Sequence, residues 1–182
     1  MAKKCTTEKT ANRQRWMENG LLELMQSYKF EEITVTDLCQ HLNLSRRSFY
    51  RYFDNMDDVL DSLMHHIFQQ MSIHNASMTL PAMELTYEFW FQHKDLLNAL
   101  AYSGMHTTLA QYALKYSNAD ALRTYLSDED LALDLVREMN LFVVSGLCSL
   151  LISWHAEGFQ KSPSQMAQIS QRMLCSPLLQ KP

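Results

Sequence analysis

Two helix caps stand eleven residues apart in ITVTDLCQHLNLSRRSFYRYF, residues 33–53, with an asparagine between them. Thr34 precedes a run in which Val35, Leu38, Cys39 and Leu42 recur at i, i+3, i+4 and i+7, and Asp37 follows the threonine by three, so a capping box opens a short amphipathic helix. Asn43 tolerates the left-handed conformation of a tight turn, and Ser45 then caps LSRRSFYRYF. The predicted unit is helix, three-residue turn, helix. Two short helices crossed over such a turn leave the second free to enter a DNA major groove.

The second helix has two unlike faces. At about 100° per residue, Phe49 and Phe53 share one side, and Arg47 and Arg51 project from the other. Arg46 and Tyr50 flank the cationic side along one edge, and Ser48 and Tyr52 along the other. Guanidiniums from Arg46, Arg47 and Arg51 suit phosphates or base edges, and the hydroxyls of Thr34, Thr36, Ser45, Ser48, Tyr50 and Tyr52 suit backbone phosphates.

Overall charge argues against a polyanion partner, because the chain of 182 residues carries −4. The distribution reverses that argument. Residues 1–53 hold nine Lys/Arg against six Asp/Glu, a balance of +3, whereas residues 54–182 hold seven against fourteen, a balance of −7. A small anion-binding head on an acidic body has this asymmetry.

Gly and Pro number only four each, and Leu, Met, Gln, Glu and Ala recur throughout, so the fold class is all-α. A first helix is predicted over roughly 8–28 from Trp16, Met17, Leu21, Leu24, Met25 and Tyr28. A long helix starts at Asn55 with Asp57 and Asp58 in its first turn, and Pro81 ends or offsets it. Breaks at His93-Lys94-Asp95 and Ser103-Gly104 divide residues 81–117 into two or three shorter helices. Ser127 with Asp130 caps a helix running to about His155, and Ser162-Pro163-Ser164-Gln165 opens the last one, to about Cys175. That makes about nine helices, without repeats.

Other chemistries find little support. Cys5, Cys39, Cys148 and Cys175 form no CxxC pair and read as reduced, mostly buried thiols. His65, His66, His74 and His93 lack partners at ligand spacing, so no metal and no cofactor is expected. No catalytic constellation stands out, so no enzyme is expected. MAKKCTTEKT lacks the apolar core of a signal peptide, and LFVVSGLCSLLISW, 141–154, falls short of the roughly 20 residues that cross a bilayer. A cytoplasmic protein with no membrane partner is the expectation.

Residues 33–60, ITVTDLCQHLNLSRRSFYRYFDNMDDVL, resemble the DNA-binding head of the TetR family of bacterial transcription regulators. The family's threonine before helix 2, the pair inside that helix, the turn, the recognition helix and the acidic start of helix 4 correspond to Thr34, Leu38-Cys39, Asn43-Leu44-Ser45, Ser48 to Phe53, and Met56-Asp57-Asp58. WHAEGFQKSPSQMAQ is similar to the junction between the family's last two helices. The resemblance implies a three-helix helix-turn-helix head, residues 1–54, on a body of about six helices, residues 55–182, that binds a ligand and dimerises. It implies a homodimer that binds a palindromic operator in double-stranded DNA and is released by a small-molecule inducer, most simply a repressor. The alternative is a related coactivator that binds a ligand or another regulator without touching DNA. Where the family carries a lysine at the start of helix 4, this chain has Met56, one phosphate anchor fewer per subunit.

In the body, the family's inducer cavity falls in the most aromatic stretch, 87–112, where Trp90, Tyr102 and His106, with Tyr87 and Met105, are the expected lining. The last two helices carry apolar faces that one subunit would struggle to cover: Leu141, Val144, Leu147, Cys148, Leu151 and Trp154 on one, Met166, Ile169 and Met173 on the other. Packed on a symmetry mate they would form a four-helix bundle, and the twofold would set the recognition helices ~34–36 Å apart.

Overall fold

A computed structural model describes residues 7–74, 79–117 and 133–174. Among them stand nine α-helices, a one-turn 3-10 helix at Phe30–Glu32, and no strand. The helices are α1 Glu8–Leu24, α2 Val35–His41, α3 Arg46–Phe49, α4 Met56–His74, α5 Leu80–Gln92, α6 Lys94–Tyr102, α7 His106–Tyr116, α8 Leu133–Ala156 and α9 Pro163–Leu174. The expected all-α class and an N-terminal helix-turn-helix followed by a helical body are what the chain adopts. The Ser127–Asp130 cap, Cys5 and Cys175 lie outside the described residues.

The helix boundaries follow from local chemistry. The Thr34 and Asp37 side chains each bond the other's amide, closing the capping box that opens α2. Asn43 takes the left-handed φ of 48° at the turn, and Leu44 N–H returns to the Cys39 carbonyl. Ser45 caps α3 through the Ser48 amide, and Asn55 caps α4 through the Asp58 amide. Near the other end, Gly158 and Phe159 both take positive φ, and Phe159 N–H bonds the Trp154 carbonyl, a Schellman-type stop for α8. Ser162 and Gln165 then form a second reciprocal cap, which opens α9.

The chain divides into two compact units. One runs to Ile67 and takes in Asn98–Met105; the other comprises Phe68–Leu97 and the chain from His106 onward. The first unit is therefore larger than the segment 1–54 that the motif marks out. The first turns of α4 are part of its core, where Val59, Leu60, Leu63 and Met64 are buried. The end of α6 also belongs to it, tied in by the Phe30 amide, which donates to Ser103 Oγ at 3.0 Å. Met17, Leu21 and Met25 line one stripe of α1, and Leu38, Phe49 and Phe53 complete a core without solvent exposure. A Cβ on Gly20 would sit 2.7 Å from Leu42 Cδ2, so glycine here is what lets α1 approach the end of α2.

In the second unit α9 packs on α5 and α7 on α8. Tyr87 and Ser170 join the first pair through a 2.6 Å hydrogen bond between their hydroxyls. Trp154, fully buried, donates its indole N–H to the Lys161 carbonyl and meets Tyr87, Phe91 and Phe159 at its ring. The apolar run on α8 is longer than the 14-residue stretch the sequence suggests. Asp134–Ala156 is long and apolar enough, by length and composition alone, to cross a membrane. Val136, Val143, Leu151 and Trp154, spaced by whole helical turns, bury one side of it within the unit.

Candidate nucleic-acid interface

The outward side of α3 is built by what lies beneath it. Phe49 and Phe53 are wholly buried, and Tyr50 packs edge-on against Phe49 with ring centroids 5.3 Å apart. That anchorage turns Arg46, Arg47 and Arg51 to solvent, where all three are exposed. The α-helix proper ends at Phe49, shorter than the sequence implies, and the Tyr52 and Phe53 amides close onto the Phe49 carbonyl to carry Arg51 around one further turn.

No carboxylate among the described residues stands within ion-pair distance of these guanidiniums. Arg46 instead donates from Nη2 to the Tyr50 hydroxyl at 3.2 Å, which raises its already high pKa, and its Cζ lies 5.9 Å from that ring. Arg51 Cζ lies 5.8 Å from the Tyr52 ring. Among the described residues, the positive charge on this face is thus left without a carboxylate to offset it. Thr34, Thr36 and Ser45 are exposed beside it, whereas Ser48 and Tyr52 are half-buried. Met56 opens α4 at the same side of the sequence motif, half-buried, where the family's lysine would stand.

Behind the interface lies a polar contact that no sequence motif announces. Glu18 of α1, only 2% exposed, accepts from Ser62 Oγ at 2.6 Å and from His66 Nδ1 at 2.7 Å, both on α4. His41 at the end of α2 makes a similar, exposed contact with Glu23 at 2.7 Å.

The expected ligand-lining residues have different surroundings. Tyr102 and Met105 belong to the first unit and Tyr87, Trp90 and His106 to the second. Tyr87 is committed to Ser170 and Trp154, and burial pushes its phenol pKa up. Trp90 is buried edge-on against Phe68 and Phe89. Tyr102 is 53% exposed and His106 is exposed too. The aromatic centre of the second unit is Phe68, which lies outside the aromatic-rich stretch 87–112 and stacks on Tyr112 and Tyr116 at 6.4 and 5.7 Å. In the same unit, Asn140 donates from Nδ2 to Ser117 Oγ at 2.8 Å, and the Ser117 hydroxyl gives its own proton to the Leu114 carbonyl. This fixes the amide orientation and leaves Asn140 Oδ1 buried with no donor among the described residues.

The expected dimer residues also separate. Cys148, Leu151, Trp154 and Met166 are buried within the subunit itself, so their faces are already covered. Burial lifts the Cys148 thiol pKa to about 11, and desolvation also raises that of Cys39. Val144, Leu147 and Ile169 are half-buried or exposed only in part, and Leu141 and Met173 are exposed. Leu135 and Phe142, neither of them picked out from the sequence, join the exposed set, with Phe142 at 66%.

Among the described residues, two short paired helices present a cationic face without a carboxylate partner, the arrangement of a helix-turn-helix nucleic-acid-binding head. Residues 20–63 match the family model described as bacterial regulatory proteins, tetR family. Over those residues the chain is similar to the TetR family. It is 29% identical over 63 residues to the HTH-type dhaKLM operon transcriptional activator DhaS of Lactococcus lactis subsp. lactis (strain IL1403), covering 35% of this chain and 34% of that one. The alignment thus spans about a third of that activator's length. A TetR transcriptional regulator from Streptococcus agalactiae 2603V superimposes with TM-score 0.69 at 16% identity, covering 95% of this chain and 96% of that one. A TetR-family regulator from Syntrophomonas wolfei str. Goettingen does so with TM-score 0.71 at 12% identity, covering 94% and 99%. At such identities the structural likeness establishes the fold.

Proposed function

We propose that the chain regulates transcription as a homodimer that binds a palindromic operator through residues 45–52 and is released by a small-molecule ligand. The observation that carries this reading is the set of three exposed guanidiniums held outward by Phe49 and Phe53 with no carboxylate among the described residues to neutralise them. Such a face attracts phosphate and releases counterions on binding, so affinity should fall steeply with salt. The dimer would form through the apolar surface left uncovered on α8 and α9, with Leu135, Leu141, Phe142 and Met173 at its centre. A ligand that binds one conformation of the body better than another would shift the population of DNA-binding dimers. The ring cluster around Phe68 and the unpartnered Asn140 acceptor support a ligand site in the second unit. Like the regulators it resembles, the protein would work in the cytoplasm.

The decisive experiment replaces Arg47 and Arg51 together with Ala and follows binding to the promoter of the chain's neighbouring genes across a salt series. Affinity should collapse and its salt dependence flatten. Unchanged affinity would refute direct contact.

A second reading draws on the DhaS likeness, since that relative is an activator, and on Met56, which removes one phosphate anchor. In it the chain activates rather than represses, or acts through a partner regulator without touching DNA. A gel shift with the chain alone separates the last case, which predicts no shifted band.

A further inference from the structure

The three arginines of the recognition helix are not equivalent. We infer that Arg47 alone reads sequence, by pairing with the edge of a guanine in the major groove, while Arg46 and Arg51 grip backbone phosphates. The inference rests on the DNA-binding reading and assigns the roles within it.

Placement is the first argument. On an ideal helix of about 100° per residue, Arg47 points about 140° from the mean direction of the buried Phe49 and Phe53, and it lies in the first turn of α3. Recognition helices bring their N-terminal residues to the base edges. Arg51 also points outward but lies beyond the end of α3, in the closing turn, and Arg46 lies on the shoulder beside the core.

Tethering is the second argument. Arg46 has spent a donor on the Tyr50 hydroxyl, and Arg51 leans over the Tyr52 ring. A guanidinium drawn along the flank of its helix still attracts a phosphate, which accepts from many directions. Guanine is more demanding, because O6 and N7 must meet two coplanar N–H groups at once. Among the described residues Arg47 has no ring, hydroxyl or carboxylate partner, so its whole fork is available.

The surrounding sequence sharpens the expectation. LSRRSFYRYF contains no Asn, Gln, Asp or Glu, the side chains that read adenine or cytosine edges. Ser48 is engaged with the cap, its hydroxyl 3.0 Å from Ser45 Oγ. Each half-site should therefore contain one strongly specified G·C pair, set by Arg47.

The test is binding-site selection from random duplex DNA with the full chain and with R47A, R46A and R51A, followed by salt titration on the selected site. The wild-type chain should select one dominant G·C pair per half-site. R47A should lose that preference, relaxing discrimination there roughly 5- to 150-fold, with the other positions unchanged. R46A and R51A should keep the preference while binding more weakly, with salt slopes shallower by about 0.9 for each phosphate no longer neutralised. Persistence of the G·C preference in R47A, or its loss in R46A or R51A, overturns the assignment. A wild-type chain that selects no sequence overturns the DNA-binding reading itself, a visibly different outcome.

Discussion

Ser62 of α4 donates its hydroxyl proton to the buried carboxylate of Glu18 on α1 across 2.6 Å, and the two residues are 44 apart in sequence. His66, one turn further along α4, completes the arrangement at 2.7 Å. A buried carboxylate is tolerated only with its donors in place. Replacing Glu18 with Ala should therefore cost about 2–4 kcal/mol, because it deletes two charge-assisted hydrogen bonds and strands both donors. Glu18→Gln should cost less. Urea unfolding checks this, and equal midpoints for E18A and wild type would exclude a structural role for the contact.

Gly20 offers a test of close packing in the same head. An added methyl meets Leu42 at 2.7 Å, and Leu42 is itself enclosed. Overpacking typically costs about 1–3 kcal/mol, against about 1 kcal/mol that alanine gains over glycine within a helix. Gly20→Ala should lower stability by up to about 2 kcal/mol net, the reverse of its usual effect on an exposed helix. Thermal melts of the two chains give the sign directly.

Met56 predicts a gain rather than a loss. Met56→Lys restores the family's cation at the first residue of α4, so operator binding should strengthen at low salt. The slope of log affinity against log salt should steepen by about 0.9 per subunit. An unchanged slope would mean that this position does not face phosphate.

Self-association should respond to a residue that burial singles out. Phe142 is 66% exposed on α8, next to Leu141 and one face away from the buried Val143. Phe142→Asp should weaken dimerisation on the order of tenfold or more while leaving the subunit folded, since the ring is largely uncovered within its own subunit. Sedimentation velocity over a concentration series reads this out.

Acid should act on the cap of α2. Hydrogen bonds from the Thr34 hydroxyl and then the Thr34 amide hold the Asp37 carboxyl below its ordinary value of 3.8. A carboxyl depressed in the folded state contributes stability in full above the unfolded value and loses it as pH falls through the lower folded value. The stability advantage of wild type over Asp37→Asn should thus hold at neutral pH and shrink below about pH 4. Parallel urea titrations in neutral and in acidic buffer, on either side of that value, decide it.

The parts legible in the sequence are those whose chemistry is local. Thr34 with Asp37, Ser45 with Ser48, and Ser162 with Gln165 each bond across three residues, so composition and spacing reveal them. The fate of α8 is not legible in this way. Its periodicity marks two apolar faces, but only the tertiary partners decide that Leu151 and Trp154 turn inward while Phe142 stays uncovered. The same holds for Glu18, whose partners lie 44 and 48 residues away, and for Tyr87, which meets Ser170 across 83. Tyr28 keeps the helical spacing of α1, yet that helix stops at Leu24, and the tyrosine ring is exposed.

The backbone hydrogen bonds that shape the stretch from Thr34 to Phe53, from the Leu38 amide on Thr34 to the Leu44 amide on Cys39, each close a loop of three to five residues. Loops so short form within microseconds, whereas a ribosome adds only about 5–20 residues each second. The segment proposed to meet DNA can therefore close its local hydrogen bonds before the residues that follow it have left the exit tunnel.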